Sequence, residues 1–296
     1  MPVYPFIQID AFTDRPLGGN PCAVLMDTED LDNTAMLAIA RENNLSETAF
    51  VRESSVATAA ARYFTPALEI PFAGHPTIAT VLALFDSGRV ILSGDFTHIT
   101  LELKTGIIPI DVYAQNGNIQ QIVMTQNKPE FLATYPPADI MPVFGLDQQD
   151  LLPDALIQTV STGTPQLMLP LRDLGALRKA RLDIPAFIDL RSRSDFFSPH
   201  LFCLEGITGE GQTFARHLDV PPDLPEDPFT GSATGGMAAY LWRYGWIDTP
   251  VFTAEQGHWM HRPGRAMVEV IGPRQDIQAV KIGGSAVTVL RGSFFL

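Results

Sequence analysis

Short runs rich in β-branched and aromatic residues recur along this chain, and between them lie two helical runs with no charge at all. In the first half, YPFIQIDAF (4–12), CAVLM (22–26), TAFVR (48–52), ARYFT (61–65), HITLELK (98–104) and IIPIDVYA (107–114) predict strands. In the second, IQQIVMT (119–125), LIQTVS (156–161), QLMLPL (166–171), HLFCLE (200–205), QTFARHL (212–218), VFTAEQG (251–257), AMVEVIG (266–272) and AVTVLRGSF (286–294) do the same. DNTAMLAIARENN (32–44) predicts an amphipathic helix opened by an Asp or Asn cap. The Pro-rich, aperiodic KPEFLATYPPAD (128–139) reads as a linker between domains.

Two motifs of the first half echo in the second, in the same order. GNPCAVL (19–25) resembles GTPQLML (163–169), an offset of 144 residues, and AGHPTIATVLAL (73–84) resembles TGSATGGMAAYL (230–241), an offset of 157. Gly-x-Pro occurs by chance, so either echo alone is weak. Two in the same order suggest an internal duplication.

From Pro76 to Phe85, and again from Ser232 to Trp242, the chain carries no charged residue. A helix without a polar face belongs in an interior. With strands in excess on both sides, the economical picture is an α+β fold of two similar domains, each a barrel-like curved sheet around a buried helix. The expected division is 1–118 and 119–284, with the last strand, 285–296, completing the first domain. Burying a helix start leaves its first N–H groups dry unless something meets them. Gly74 and Gly231 remove the side chain where a ligand backbone contact would form, and Pro76 suits the first helical position. Water or a capping side chain can satisfy such groups; an anion shared by both helix starts does so as well. His75, at a positive helix end, is expected to be neutral, whether as a structural imidazole or as a donor or acceptor to a ligand.

Composition narrows the partners. Twenty basic against thirty-three acidic residues give a net charge of −13, which disfavours nucleic acid and anionic membrane surfaces. MPVYPFIQID has neither the basic nor the apolar region of a signal peptide, and no window approaches the length of a membrane span. Cys22 and Cys203 are the only cysteines, without CxxC or a Cys/His cluster, so the chain reads as cytoplasmic, reduced and free of structural zinc. No GxGxxG, P-loop, GxSxG or HExxH motif is present, so no cofactor and no metal is expected.

Proton chemistry needs a titratable group near the anion site. Glu47, in NNLSETAFV, stands where a helix ends and a strand begins; Asp227, in PEDPFTGSAT, stands four residues ahead of Gly231. Solvation or turn capping accounts for either one taken singly. His258 and His261 lack the partners of a metal site. Arg262 and Arg265 are candidate carboxylate holders or simply exposed.

SETAFV, PFAGHPT and EDPFTGSA, in this order and spacing, resemble the phenazine-biosynthesis PhzF-like proteins, which share the diaminopimelate epimerase fold. The likeness spans essentially the whole chain. It implies two α/β barrels with a cleft between them, a homodimer, no cofactor and a small carboxylate substrate. It places Glu47 as acid/base, His75 and Asp227 as its supporting pair, and Ser46, Gly74, Gly231 and Ser232 as substrate-holding positions. Epimerases of this fold carry a cysteine before each glycine; here those positions are Ala73 and Thr230, so the resemblance implies one carboxylate rather than two thiols. The expected chemistry is an isomerase moving a proton between carbons. The alternatives are a single-carboxylate epimerase or racemase of an amino acid derivative, and a non-catalytic metabolite-binding dimer.

Overall fold

The computed structural model describes residues 1–296. Its eighteen strands join through hydrogen-bonded neighbours into one continuous, curled sheet. The predicted strands all form, with ends shifted by a residue or two. Asp32 caps the helix Asn33–Asn43 by accepting from the Ala35 amide. The two uncharged runs become the helices Gly74–Asp86 and Gly231–Tyr244, and each is buried continuously from its first glycine, to Leu84 and to Leu241. Pro76 falls third in its helix rather than first. Its missing N–H still costs nothing there, because amides of the first turn have no intrahelical acceptor.

The same construction occurs twice. The strand Asn20–Leu25 runs parallel to Glu47–Arg52, which pairs antiparallel with Ala59–Phe64. The strand Pro165–Pro170 likewise runs parallel to Ser198–Cys203, which pairs antiparallel with Thr213–Leu218. In each copy a two-residue strand (Glu69–Ile70, Glu226–Asp227) then feeds the central helix. The last strand, Ala286–Phe295, returns to pair with Val3–Ala11. Across residue 118 the ladder does not break, since Asn118–Gln126 pairs with Gly106–Gln115 on one edge and Ala279–Gly284 on the other. We propose that the two units meet along this strand, with the boundary near residue 118.

The stretch 128–139 is not a linker. Glu130–Tyr135 is a strand paired antiparallel with Ile157–Ser161, and Pro137–Ile140 is a short helix. The strand's own residues are exposed or half-buried, which is why they show no apolar period. The helices Leu174–Lys179 and Ile184–Ser192 also escaped the sequence pattern. They cover a second, smaller core around Phe144, Leu169, Phe187 and Leu201.

The two central helices meet at their starts. A Cβ added to Gly74 would lie 2.7 Å from the Gly231 Cα and 2.9 Å from the Ser232 amide nitrogen. These are backbone atoms and cannot swing aside. Gly74→Ala is therefore expected to lower the unfolding free energy by roughly 1–3 kcal/mol, as overpacking does. Gly209→Ala, with nothing within 4 Å of the added carbon, is expected to stay within about 0.5 kcal/mol of the parent; denaturant titration of both variants checks this.

Candidate active site

A cavity of about 280 Å³ lies between the two copies of the fold, and Ser46, Glu47, Ala73, Asp227, Thr230 and Ser232 are among its lining residues. Neither central helix has a side-chain cap or an acidic residue in its first turn. Their contacting starts leave open, positively polarised amides beside the cavity. Gly74 and Gly231 stand behind the wall, and their neighbours Ala73, Thr230 and Ser232 form it.

Glu47 begins its strand at the cavity wall, with its side chain 15% exposed. Burial, reinforced by Asp227, Asp219 and Asp223, pushes its carboxyl well above the usual carboxylate range. Burial and like charge here outweigh the nearby helix ends, which would lower it. His75 does not line the cavity. Its Nε2 lies 3.2 Å from the Glu47 Oε2, and neither atom completes an aligned hydrogen bond. Burial brings this imidazole down to about 4, so it is neutral near pH 7, as expected, but desolvation rather than the helix end is the main cause.

Asn20, which sequence reasoning passed over, joins the two halves of the site. It is fully buried, and its Nδ2 lies 2.9 Å from the His75 Nδ1, 2.7 Å from the Asp227 Oδ1 and 2.9 Å from the Phe229 carbonyl. A flipped amide would set its oxygen against the Asp227 carboxylate and the Phe229 carbonyl, so the nitrogen must point this way. An amide nitrogen has no lone pair to offer, so the His75 Nδ1 must be bare and its proton must sit on Nε2, facing Glu47. The other Asp227 oxygen accepts from the Thr230 hydroxyl at 2.5 Å. Only the matched GNP and GTP turns hinted at Asn20; its partners lie 55 and more than 200 residues away.

Arg262 holds the turn that presents Asn20. It donates to the Gly18 and Gly19 carbonyls and pairs with the buried Asp10 at 2.7 Å. Arg265 pairs with Asp14 and Glu210. Neither arginine lines the cavity, and neither do His258, His261, Cys22 or Cys203. Glu47, His75 and Asp227 offer ligand atoms within 4.8 Å of one another, close enough in span for a metal ion. The His75 Nδ1 and both Asp227 oxygens are already engaged by Asn20 and Thr230, while the Glu47 Oε2 has no hydrogen-bond partner.

The far wall holds groups that the sequence reading also missed. His217, Asp219 and Asp223 line the cavity with Gln166 and Ser198. Burial brings His217 down to about 4, and its Nδ1 is 3.3 Å from that of the fully buried His200. Burial, then Asp227 and Asp223, pushes Asp219 up to about 8. The repeated acids of DVPPDLPED were visible in the sequence, but not the cavity that gathers them.

The tautomer assignment can be read directly. In the ¹⁵N spectrum of the parent, His75 is expected to show an unprotonated Nδ1 and a protonated Nε2 at neutral pH. Asn20→Asp, whose carboxylate would accept from Nδ1–H, is expected to reverse the pattern; an unchanged pattern removes Asn20 from this role.

The family model described as phenazine biosynthesis-like protein matches residues 9–292. A trans-2,3-dihydro-3-hydroxyanthranilate isomerase of Pseudomonas chlororaphis is 31% identical over 98% of this chain and 99% of its own. An uncharacterized isomerase of Mesorhizobium japonicum is 33% identical, with 98% of each chain covered. The solved Bacillus anthracis phenazine biosynthesis protein of the PhzF family superposes with a TM-score of 0.86 at 30% identity, over 100% of both chains. A hydroxyproline epimerase from Agrobacterium vitis shares the fold alone, with a TM-score of 0.70 at 12% identity over 98% of this chain and 92% of its own. The chain, with its duplicated barrels and its isomerase relatives, belongs to the PhzC-PhzF family of phenazine biosynthesis-like proteins and is an isomerase.

Proposed function

We propose that this isomerase shifts a proton between two carbons of a small carboxylate-bearing substrate, with Glu47 as its one acid/base and no cofactor. The observation that carries the reading is Glu47 itself: a carboxylate with a raised proton affinity, on a cavity wall beside two uncapped helix starts. A substrate carboxylate seated at those amides gains charge-assisted hydrogen bonds from both halves of the chain. As Glu47 takes a proton from carbon, electron density moves toward that end, and the amides stabilise it where it develops. Glu47 then returns the proton to another carbon on the same face.

Burial serves both steps. An ordinary carboxyl near 4.3 is a weak base toward a C–H bond, and a group poised nearer the working pH can both take and return a proton. The His75 Nε2–H, 3.2 Å from the Glu47 Oε2 though not aligned on it, is placed to steady the carboxylate form once the site is occupied. Asp227 and Thr230 form the adjoining wall and orient the substrate, with Ser46 and Ser232 as hydroxyl contacts. No thiol lines the cavity, which supports one base over two. The P. chlororaphis relative suggests a dihydro-hydroxyanthranilate as the first compound to try. A homodimer accompanies this reading, on the family resemblance.

Incubation with trans-2,3-dihydro-3-hydroxyanthranilate and a wider metabolite set in heavy water, followed by proton NMR, tests the proposal. A product with a moved double bond and deuterium at the new carbon supports it. Inversion at one carbon instead supports an epimerase, and tight binding with no deuterium uptake at high enzyme concentration supports a binding protein. Glu47→Gln is expected to reduce exchange by about 10²-fold or more; exchange at the parent rate would take Glu47 out of the mechanism. The kcat/KM profile follows from the sign of the Glu47 shift. Taking a proton needs the ionised form, and that form appears only above a raised value, so the rate is expected to climb with pH through a limb well above the ordinary carboxyl range. A limb near 4.3 would show an unperturbed base.

A further inference from the structure

Four carboxylates line the cavity (Glu47, Asp219, Asp223 and Asp227), and no lysine or arginine does. Two of them are accounted for by their neighbours. Glu47 faces His75 at 3.2 Å, and the two Asp227 oxygens accept from the buried Asn20 and the half-buried Thr230. Asp219 has no such account: the His217 Nε2 lies 3.9 Å away on an imidazole that burial keeps neutral, and the acids Asp227 and Asp223 are its strongest charged influences. Asp223 accepts a long bond, 3.3 Å, from the Ala67 amide across the cleft, and the Thr65 hydroxyl also favours its charged form. Arg191 acts on both from beyond ion-pair distance, lying over the Phe187 ring.

Two further polar atoms on this wall lack partners. Gln166 is 3% exposed; its Nε2 donates to the Ser232 hydroxyl, and its Oε1 meets nothing. Ser198 is 1% exposed, and its Oγ meets nothing. The strand register explains why they gather. Gln166 stands beside Ser198 in the parallel pair, and the antiparallel register His200↔His217, carried on by two residues, sets Ser198 opposite Asp219. Side chains alternate along a strand, so all three point the same way. Ser198 occupies in this copy the place that Glu47 holds in the other: each is the strand residue paired with position 22 or 166, three beyond the Gly19 or Gly163 turn. The second copy thus presents a row of acceptors opposite the first copy's base.

The geometry points to a cation subsite: Asp219 and Asp223, with the Gln166 Oε1 and Ser198 Oγ, receive an ammonium or guanidinium group of a dipolar substrate whose carboxylate faces the helix starts. A carboxylate without a counter-charge in a partly buried cavity is costly, and a ligand cation both offsets that cost and supplies the donors that the two orphaned acceptors lack. The raised Asp219 is in keeping with a site whose counter-charge arrives with the ligand. This inference rests on the proposed carboxylate position and adds the substrate's second charge.

Calorimetric titration with a matched pair, 4-(aminomethyl)benzoate and 4-methylbenzoate, tests it near pH 7. The ammonium compound is expected to bind about ten-fold tighter or more, as for a charge-assisted bond in a partly buried site. Asp219→Asn is expected to bring the two within about two-fold of each other while 4-methylbenzoate binds as before, and Asp223→Asn to narrow the gap part of the way. Equal affinity in the parent, failure of both to bind, or a preference that survives both variants would overturn the subsite. If Asp219→Asn also loses 4-methylbenzoate, the Asp223→Asn result decides. The readout is binding, so it separates from the chemistry. A protein that prefers the ammonium compound and never exchanges protons keeps the subsite and loses the isomerisation mechanism; one that exchanges without the preference does the reverse.

Discussion

The backbones of Gly74 and Gly231 touch, and the site is organised around that contact. Each glycine opens a buried, uncharged helix, and each lacks the carbon that would hold the other away. Two helix starts brought this close add their unpaired amides into a single positive locus, where either alone would be a modest one. The surrounding packing enforces the approach. Phe12 stacks on Phe229 at 4.4 Å across the halves, and the Arg262–Asp10 pair ties a turn of the first half to a loop of the second. A buried pair of this kind adds little net stability, but breaking it strands a charge, so it specifies how the halves sit.

Around that locus the duplicated frame is chemically unequal. Equivalent strand positions carry Glu47 in one copy and Ser198 in the other, and equivalent short strands end in Ile70 and Asp227. Symmetry of backbone therefore brings two helix starts together, and asymmetry of side chains leaves one glutamate on one wall. Asn20 couples the two contributions by binding His75 from the first copy and Asp227 from the second through one amide nitrogen. That one group sets a tautomer, and through it the direction in which a proton is offered to Glu47.

The cavity's charge balance is the other consequence. Acidic groups on all sides of a dry space raise one another's proton affinity, and burial adds to this. The positive partners are helix amides, which cannot titrate, so the carboxyls absorb the whole imbalance. The raised carboxyls of Glu47 and Asp219 arise from the same cause.

Much of this was legible in the chain alone. Most strands that alternate or run apolar declared themselves, Ala279–Gly284 excepted, as did the Asp32 cap and the two charge-free helices, because those signals are local and follow from which residues burial tolerates. The paired echoes and the motifs around Glu47, His75 and Asp227 pointed to two barrels sharing one cleft. Glu130–Tyr135 was lost because an edge strand with little burial has no apolar period, and the helices at 174–179 and 184–192 because short, capped segments lean on the core they cover. Asn20, Gln166, Ser198 and Asp219 could not be found in advance. An asparagine in a Gly-Asn-Pro turn and a serine at a strand start are ordinary in sequence, and only burial without a local partner makes them chemical. The residues thus determined the repeated elements and the base; the approach of the two copies decided which polar atoms would be left dry and facing one another, since that depends on contacts more than a hundred residues apart.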